Sequence, residues 1–325
     1  MPIRFPRPLF PGDLIAVVAP SSGVRPSMHT RLDAAIDFLR ARGLRVTEGA
    51  SLRFQTKGAS ASAAERAEEL QRVLIDPNIA GVMPPWGGER ASEILGLMDF
   101  ERLAASTPKW LIGFSDISTI QLPLLLRSGW ASLHGPNLMQ LPGPDLDPVS
   151  ARVIDAWRLG AGSSLSQTPS AASASWRLDG RSGSTHFSGR LVGGCLDSIS
   201  RLAGSPFGAV SDFARSRKDD GVILFLENAE LQPFEMARAL HGLRLAGWFD
   251  HVAGVLIGRN AAASTTDPSD FTTRDALEAA MTGISVPVIV DVDIGHVGPQ
   301  LTLVQGAMAQ VSWAEGSCAI EQELR

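Results

Sequence analysis

Trp110-Leu-Ile-Gly-Phe-Ser115-Asp-Ile-Ser-Thr119 runs from residues suited to a buried strand directly into residues suited to a helix, with a serine on the turn between them. Such a turn projects the hydroxyl from a sheet edge. It also aims the following backbone N–H groups, with the positive end of the helix, at a negatively charged oxygen. Gly113, lacking a Cβ, lets the chain crowd there. The segment is not the hydrolase pattern G-x-S-x-G, because Ile117 stands where the second glycine would be, and a serine at this junction also serves as a helix N-cap.

On either side of that turn, short apolar runs alternate with helical patterns. Strands are predicted at Leu14 to Ala19, Leu44 to Thr47, Ile79 to Met83, Trp110 to Gly113 and Ala131 to His134, with helices at about Thr30 to Arg42, Ala63 to Ile75, Glu89 to Leu97 and Asp116 to Ser128. This alternation reads as a parallel sheet with crossover helices, an α/β fold of the Rossmann or flavodoxin-like kind. Ala67, Leu70, Val73 and Leu74 recur at the spacing of a buried helical stripe.

From about Gly160 to Ser184 the chain is rich in Ser, Ala and Gly, with few large apolar side chains beyond Trp176 and Leu178. We therefore expect an N-terminal domain over residues 1–160, a linker over 161–184 and a smaller mixed α/β domain over 185–325. Strands in the latter are expected near Arg190 to Val192, Val222 to Leu226, Gly254 to Ile257, Val286 to Asp291 and Gln310 to Trp313, with a helix over Phe234 to Leu245.

The formal charge of -5 arises from 29 basic and 34 acidic residues mixed along the chain, with no basic block to meet a row of phosphates, so nucleic acid is not an expected partner. Cys195 and Cys318 are too few for a disulfide framework and have no ligand neighbours at metal-binding spacing, so neither a disulfide nor a metal is expected. The apolar run Leu14 to Ala19 is too short for a signal-peptide core, and no stretch approaches the roughly 20 apolar residues that cross a bilayer. A cytoplasmic protein with no membrane partner is expected.

Three further loops follow predicted strands. Pro84-Pro85-Trp86-Gly87-Gly88-Glu89 leaves backbone N–H groups unshielded at paired glycines, as an oxyanion requires and as a tight turn equally does. Glu227 ends an apolar strand, where a carboxylate is buried and partnered, in a salt bridge, a cap or a catalytic set. His296 lies in a Gly and Pro loop after another strand, and its imidazole titrates near neutrality; His134, also at a strand end, competes for the role of base. All four loops fall at carboxyl ends of strands, where open α/β sheets place their sites. A serine, a histidine and a carboxylate there form a chemically complete triad.

The sequence resembles the LD-carboxypeptidases, the muramoyl-tetrapeptide carboxypeptidases, a family that includes the microcin C immunity type of hydrolase. The likeness runs from Pro11-Gly12-Asp13 with Ala19-Pro20-Ser21 through Trp86-Gly87-Gly88, Gly113 to Asp116 and His134-Gly135-Pro136. It continues through Gly193-Gly194-Cys195-Leu196 and Leu226-Glu227-Asn228 to Gly295-His296 with Pro299, Leu301-Thr302-Leu303 and Gly306-Ala307. The resemblance implies two domains, no metal or cofactor, commonly a homodimer, and a triad of Ser115 as nucleophile, His296 as base and Glu227 as orienting acid. Backbone N–H groups of Asp116 and Gly88 would form the oxyanion hole. Trp86, Cys195 and Val304 depart from residues more frequent in the family at these places.

The substrate class implied is a peptidoglycan fragment cleaved between an L and a D centre, with an aminoacyl-nucleotide amide as the alternative. Trp86, next to Gly87, and Trp176 would favour a nucleobase by stacking; Arg90 would instead bind a peptide's terminal carboxylate. The rival outside enzymes is a binding protein whose strand-end loops only contact a small ligand.

Overall fold

The computed structural model describes residues 1–141, 146–170, 174–263, 265, 267 and 269–325. Parallel strands β1 (Leu14–Val17), β2 (Arg45–Glu48), β3 (Ile79–Val82), β4 (Trp110–Gly113) and β5 (Leu133–His134) pair in the order β2-β1-β3-β4-β5. This is the flavodoxin-like order, in which the connections diverge between β1 and β3 and open a crevice at the carboxyl ends. β3 and β4 are buried along their whole length, as expected of strands covered on both faces.

The later strands are β6 (Ser164–Gln167), β7 (Trp176–Arg177), β8 (Thr185–Cys195), β9 (Val222–Glu227), β10 (Gly254–Gly258), β11 (Val288–Val292), β12 (Leu303–Val304), β13 (Met308–Ala314) and β14 (Ser317–Glu323). All but β12 form a second, mixed sheet in the order β6-β14-β13-β8-β9-β10-β11-β7, with β8 to β11 parallel. β12 instead crosses back and pairs antiparallel with β5, closing the first sheet. The fold class read from the sequence therefore holds: a parallel sheet in the N-terminal half and a second mixed sheet.

The helix Ser118–Ser128 packs between the halves against β8, and nine of its 11 residues are buried, which explains why it carries no polar stripe. One apolar cluster runs through both halves, joining Leu111, Ile120 and Leu124 to Val192, Leu224 and Ile257. The helix Ala63–Ile75 falls where its periodicity puts it, with Ala67, Leu70, Val73 and Leu74 buried and a Ser62–Glu65 capping box at its start.

Two stretches differ from their sequence reading. The Ser- and Gly-rich segment 161–184 supplies β6 and β7, the outermost strands of the second sheet; Ala171 to Ser173 lie outside the described residues. Backbone pairing needs no large side chains, and the buried Gln167 adds a side-chain ladder, accepting from Thr302 N at 3.0 Å and donating to Thr302 O. The helix expected over Glu89 to Leu97 is a 3₁₀ helix over Ala91–Leu97, because its opening N–H groups are taken by tertiary partners. Arg90 N donates to Ser21 Oγ at 3.0 Å and Ala91 N to the Asp116 carboxylate at 2.8 Å.

Candidate active site

β4 ends at Gly113, and the chain turns at Ser115 with φ +62°, a left-handed conformation that costs a non-glycine residue strain and that tight strand-to-helix turns impose. The 3₁₀ turn Ser115–Ile117 then runs into Ser118–Ser128, whose positive end faces the turn. The neighbouring carboxylate fixes this arrangement. Asp116, only 4% exposed, accepts from Ser21 Oγ at 2.5 Å, from Ala91 N at 2.8 Å and from Thr119 Oγ1 at 3.1 Å. Burial raises its pKa and these hydrogen bonds pull against that rise. The side chain of Asp116 thus ties the ends of β1 and β3 to the nucleophile turn.

The glycine loop meets Ser115 at close range. A Cβ on Gly87 would sit 2.8 Å from Ser115 Cβ and 2.9 Å from both Ser115 Oγ and Asp116 N, so the absent side chain leaves that hydroxyl and that N–H open. At Gly88, φ is +142° and a Cβ would collide with the Oγ atoms of Ser21 and Ser22. Both glycines are therefore required by geometry.

Glu227 ends the wholly buried β9 and is itself 1% exposed. Its Oε2 lies 2.7 Å from His296 Nδ1, and His296 Nε2 lies 3.0 Å from Ser115 Oγ. The hydroxyl, imidazole and carboxylate form one hydrogen-bonded series across the two halves. Burial pulls the His296 pKa down, but the hydrogen bond and charge of Glu227, helped by Asp197 and Glu230, outweigh it and leave the pKa above the ordinary value. The imidazole ring packs on Phe114 with centroids 4.6 Å apart. Arg259, just past β10, donates to the carbonyls of Val297 at 3.0 Å and Pro299 at 2.8 Å and pairs with the buried Asp293 at 2.9 Å, bracing the His296 loop from both ends.

His134 has no part in this series. It is fully buried, its Nδ1 is 3.5 Å from Ser118 Oγ, and burial pushes its pKa down to about 4.

The remaining sequence candidates divide. Gly87, Gly88 and Asp116 join the triad residues. The half-buried Trp86 packs in the same loop, but its indole N–H is shared by the carbonyls of Ser22 and Gly23 at 3.1 and 3.2 Å. Arg90 is turned to Glu93 at 2.8 Å and to the Lys57 carbonyl at 3.0 Å. Trp176 lies on β7, three strands from β9 in the sheet, or roughly 14 Å at ordinary strand spacing. Its Nε1 donates to Asp291 at 2.6 Å and Arg274 stacks over its ring at 4.7 Å.

Residues not singled out for a role in the sequence support the site from behind. Asp197 accepts from the backbone N–H groups of Ala229, Glu230 and Leu231 and so shapes the loop after Glu227. With Glu89, Glu230, Glu235 and Arg201 it also lines a cavity of about 370 Å³ that reaches Asp116. Cys195 is buried beside Glu227, and burial with the charges of Glu227 and Asp197 raises its thiol pKa well above the usual value. Among the described residues, Cys195, Glu227 and His296 are grouped with potential ligand atoms within 4.8 Å of one another, but both His296 nitrogens and Glu227 Oε2 are committed to the series above. A cue to these supports was faint: Asp197 and Cys195 merely neighbour the Gly193-Gly194 pair in sequence.

Residues 15–135 match the LD-carboxypeptidase N-terminal domain and residues 188–311 the LD-carboxypeptidase C-terminal domain. The chain belongs to the LD-carboxypeptidase family. Membership makes it a serine peptidase. A putative carboxypeptidase of Synechocystis sp. is 30% identical, over 96% of this chain and 95% of that protein. The probable murein peptide carboxypeptidase of Bacillus subtilis is 27% identical, over 97% and 94%.

The fold of this LD-carboxypeptidase family member is shared by solved structures. That of microcin C7 self-immunity protein MccF, bound to aspartyl sulfamoyl adenosine, superposes with a TM-score of 0.81 at 21% identity over 98% of each chain; a relative of that name is recorded from Escherichia coli. The muramoyltetrapeptide carboxypeptidase of Oxalobacter formigenes gives 0.77 at 23%, over 95% of this chain and 98% of that one. No helix among the described residues is long and apolar enough to cross a membrane.

Proposed function

We propose that this protein cleaves the amide bond between an L and a D centre in a peptidoglycan-derived tetrapeptide and releases the terminal D-amino acid. One observation carries the reading: Glu227, His296 and Ser115 are linked by contacts of 2.7 and 3.0 Å, the length at which a proton passes between nucleophile and base. His296 Nε2 takes the Ser115 proton as Oγ attacks the amide carbonyl. The tetrahedral oxyanion is received by the backbone N–H groups of Asp116 and Gly88, beside the positive end of Ser118–Ser128. His296 then returns the proton to the leaving amine, and water, activated by the same imidazole, releases the acyl group. Glu227 holds the proton-bearing Nδ1 edge and stabilises the imidazolium as it forms.

The same reading includes a cytoplasmic enzyme, consistent with two free buried thiols, and a homodimer, which sedimentation tests directly. The alternative substrate is an aminoacyl-nucleotide amide, by analogy with the ligand held by MccF. The nucleobase would need an aromatic partner. Trp86 and Trp176 are the candidates, yet Trp86 is packed against the core of its own half and the Trp176 ring already carries the Arg274 guanidinium, so the peptide is preferred.

Incubation with muropeptides and with aminoacyl-sulfamoyl nucleotides, read by mass spectrometry, tests the choice. Ser115→Ala should abolish turnover and fluorophosphonate labelling with an unchanged melting temperature, whereas Ser118→Ala should cost far less. Turnover retained in folded Ser115→Ala overturns the mechanism.

A further inference from the structure

A second cavity, of about 300 Å³, opens on His296 and shares no lining residue with the acidic cavity beside Asp116. Its walls come from Arg31 on the helix His29–Arg40, from the segment after β5, and from Gly295, Gly298 and Gln300 around the base.

Most polar groups in this wall are already satisfied. Gln140 Oε1 accepts from Asn137 N at 2.9 Å. Asp147 accepts from Val149 N, Ser150 N and Ser150 Oγ, which occupy both its oxygens, and Ser150 Oγ accepts from Gln300 N at 2.8 Å. One cationic donor is left over. On Arg31, Nε and Nη2 share a single acceptor, the Met139 carbonyl, at 3.1 and 2.9 Å, which orients the guanidinium, and Nη1 has no hydrogen-bond partner among the described residues. The Gln300 side chain, in a residue 4% exposed, closes the wall behind it; its Nε2 is wholly buried and has no hydrogen-bond partner among the described residues, so a ligand in the cavity does not reach it without a turn of the side chain.

The chemistry at His296 says which ligand oxygen belongs here. The base that takes the Ser115 proton must give it to the leaving amine, so the leaving half of the substrate lies against His296. In a terminal amino acid the carboxylate carbon is separated from that amine nitrogen by one Cα, a span of about 2.5 Å. Its carboxylate is therefore bound close to His296, in the space this cavity provides. Arg90, the sequence candidate for that task, is spent on Glu93 and Lys57.

We propose that Arg31 forms the subsite for the α-carboxylate of the leaving D-amino acid, its guanidinium supplying the charge and a hydrogen bond from Nη1. This rests on the peptidase reading above and adds the group that restricts the enzyme to chain ends. Asp147, in the same wall, accepts from three neutral donors and keeps its charge, so the Arg31 guanidinium has to outweigh it.

The test pairs two peptides, a tetrapeptide with a free terminal carboxylate and the same peptide as its terminal amide, against wild type, Arg31→Ala and Arg31→Lys. Melting curves confirm that each variant is folded. Wild type should prefer the acid by about 10- to 100-fold in kcat/KM, the range of a charge-assisted hydrogen-bonded contact. Arg31→Ala should lose that factor on the acid only, leaving the amide rate unchanged. Arg31→Lys should keep part of the preference.

An undiminished preference for the acid in Arg31→Ala, or equal losses on both peptides, overturns the subsite. Calorimetric binding of both peptides to Ser115→Ala separates the two levels. An Arg31-dependent preference in binding without cleavage by wild type leaves the subsite standing and removes the reaction, whereas no binding of either peptide removes both.

Discussion

His134 and His296 both stand at carboxyl ends of parallel strands, on β5 and just past β11, yet the protein gives them opposite properties. His134 sits edge-on between Phe114 and Phe225, with ring centroids 6.1 and 5.1 Å away, and its Nε2 has no hydrogen-bond partner among the described residues. Burial holds it neutral, with a pKa of about 4. His296 is also largely enclosed, but a carboxylate lies 2.7 Å from one nitrogen and a hydroxyl 3.0 Å from the other, and its pKa goes up. Depth alone makes a histidine inert. Depth with one placed carboxylate makes it a base.

Removing the base breaks this contrast most directly. His296→Ala should lower kcat by about 10⁶-fold, as loss of the histidine does in other serine hydrolase triads. His134→Ala should leave activity within about tenfold once the folded fraction is accounted for. A larger loss at His134 reverses the two assignments.

Glu227→Gln comes next, at about 10⁴-fold, because an amide neither stabilises the imidazolium nor fixes the tautomer. It also has a sign that pH profiles can read. The base must be neutral, so the acid limb of kcat/KM reports the His296 pKa of the free enzyme, and in the wild type its midpoint should lie above 6.5. Without the Glu227 charge the burial contribution is opposed only by the charges of Asp197 and Glu230, and the residual activity of Glu227→Gln should have its midpoint at lower pH. A midpoint that stays in place would mean that Glu227 does not govern His296.

The glycine loop offers a smaller and more local effect. Gly87 has no positive φ, so the obstacle to alanine is a methyl 2.8 Å from Ser115 Cβ and 2.9 Å from Ser115 Oγ and Asp116 N, which the glycine loop or the nucleophile turn must shift to admit. Gly87→Ala should reduce kcat by about 10²-fold, the scale of one lost oxyanion donor, with a lowered melting temperature. An unaffected kcat would place the oxyanion elsewhere.

The contrast also marks what a sequence can convey. The β4 turn, the Gly87-Gly88 pair, Glu227 and His296 are legible because each follows a short apolar run, and strand ends are where such sheets place sites. β6 and β7 are not, since their pairing is made by backbone in a segment whose side chains carry no alternating apolar signal. β12 belongs to the first sheet although it follows most of the second in the chain, a long-range pairing that no local pattern encodes. Arg31 lies far from His296 in the chain and acquires meaning only where both line one cavity. Arg90 and Trp176 were nominated by proximity in sequence to a loop or boundary, but near partners, Glu93 and Asp291, had already claimed them.

The smallest effect concerns stability and isolates His134. Its folded pKa lies below that of the unfolded chain, so between pH 6.5 and about 4 the unfolded state binds the extra proton. Stability should therefore fall as the pH drops through that window, by up to about 1.4 kcal/mol per pH unit and about 3 kcal/mol in all. His296 acts with the opposite sign and in another window. Its raised pKa contributes stability that is fully present below 6.5 and is lost as the pH rises through the folded value, so it does not mask the acid limb. His134→Leu keeps an apolar side chain between Phe114 and Phe225 and has no proton to bind. Chemical unfolding measured at pH 7, 6, 5 and 4.5 should give a shallower loss of stability for His134→Leu than for wild type, whatever the offset between them at pH 7. Parallel curves would mean that His134 titrates normally in the folded protein, and the separation of the two histidines into a neutral core residue and a titrating base would fall with it.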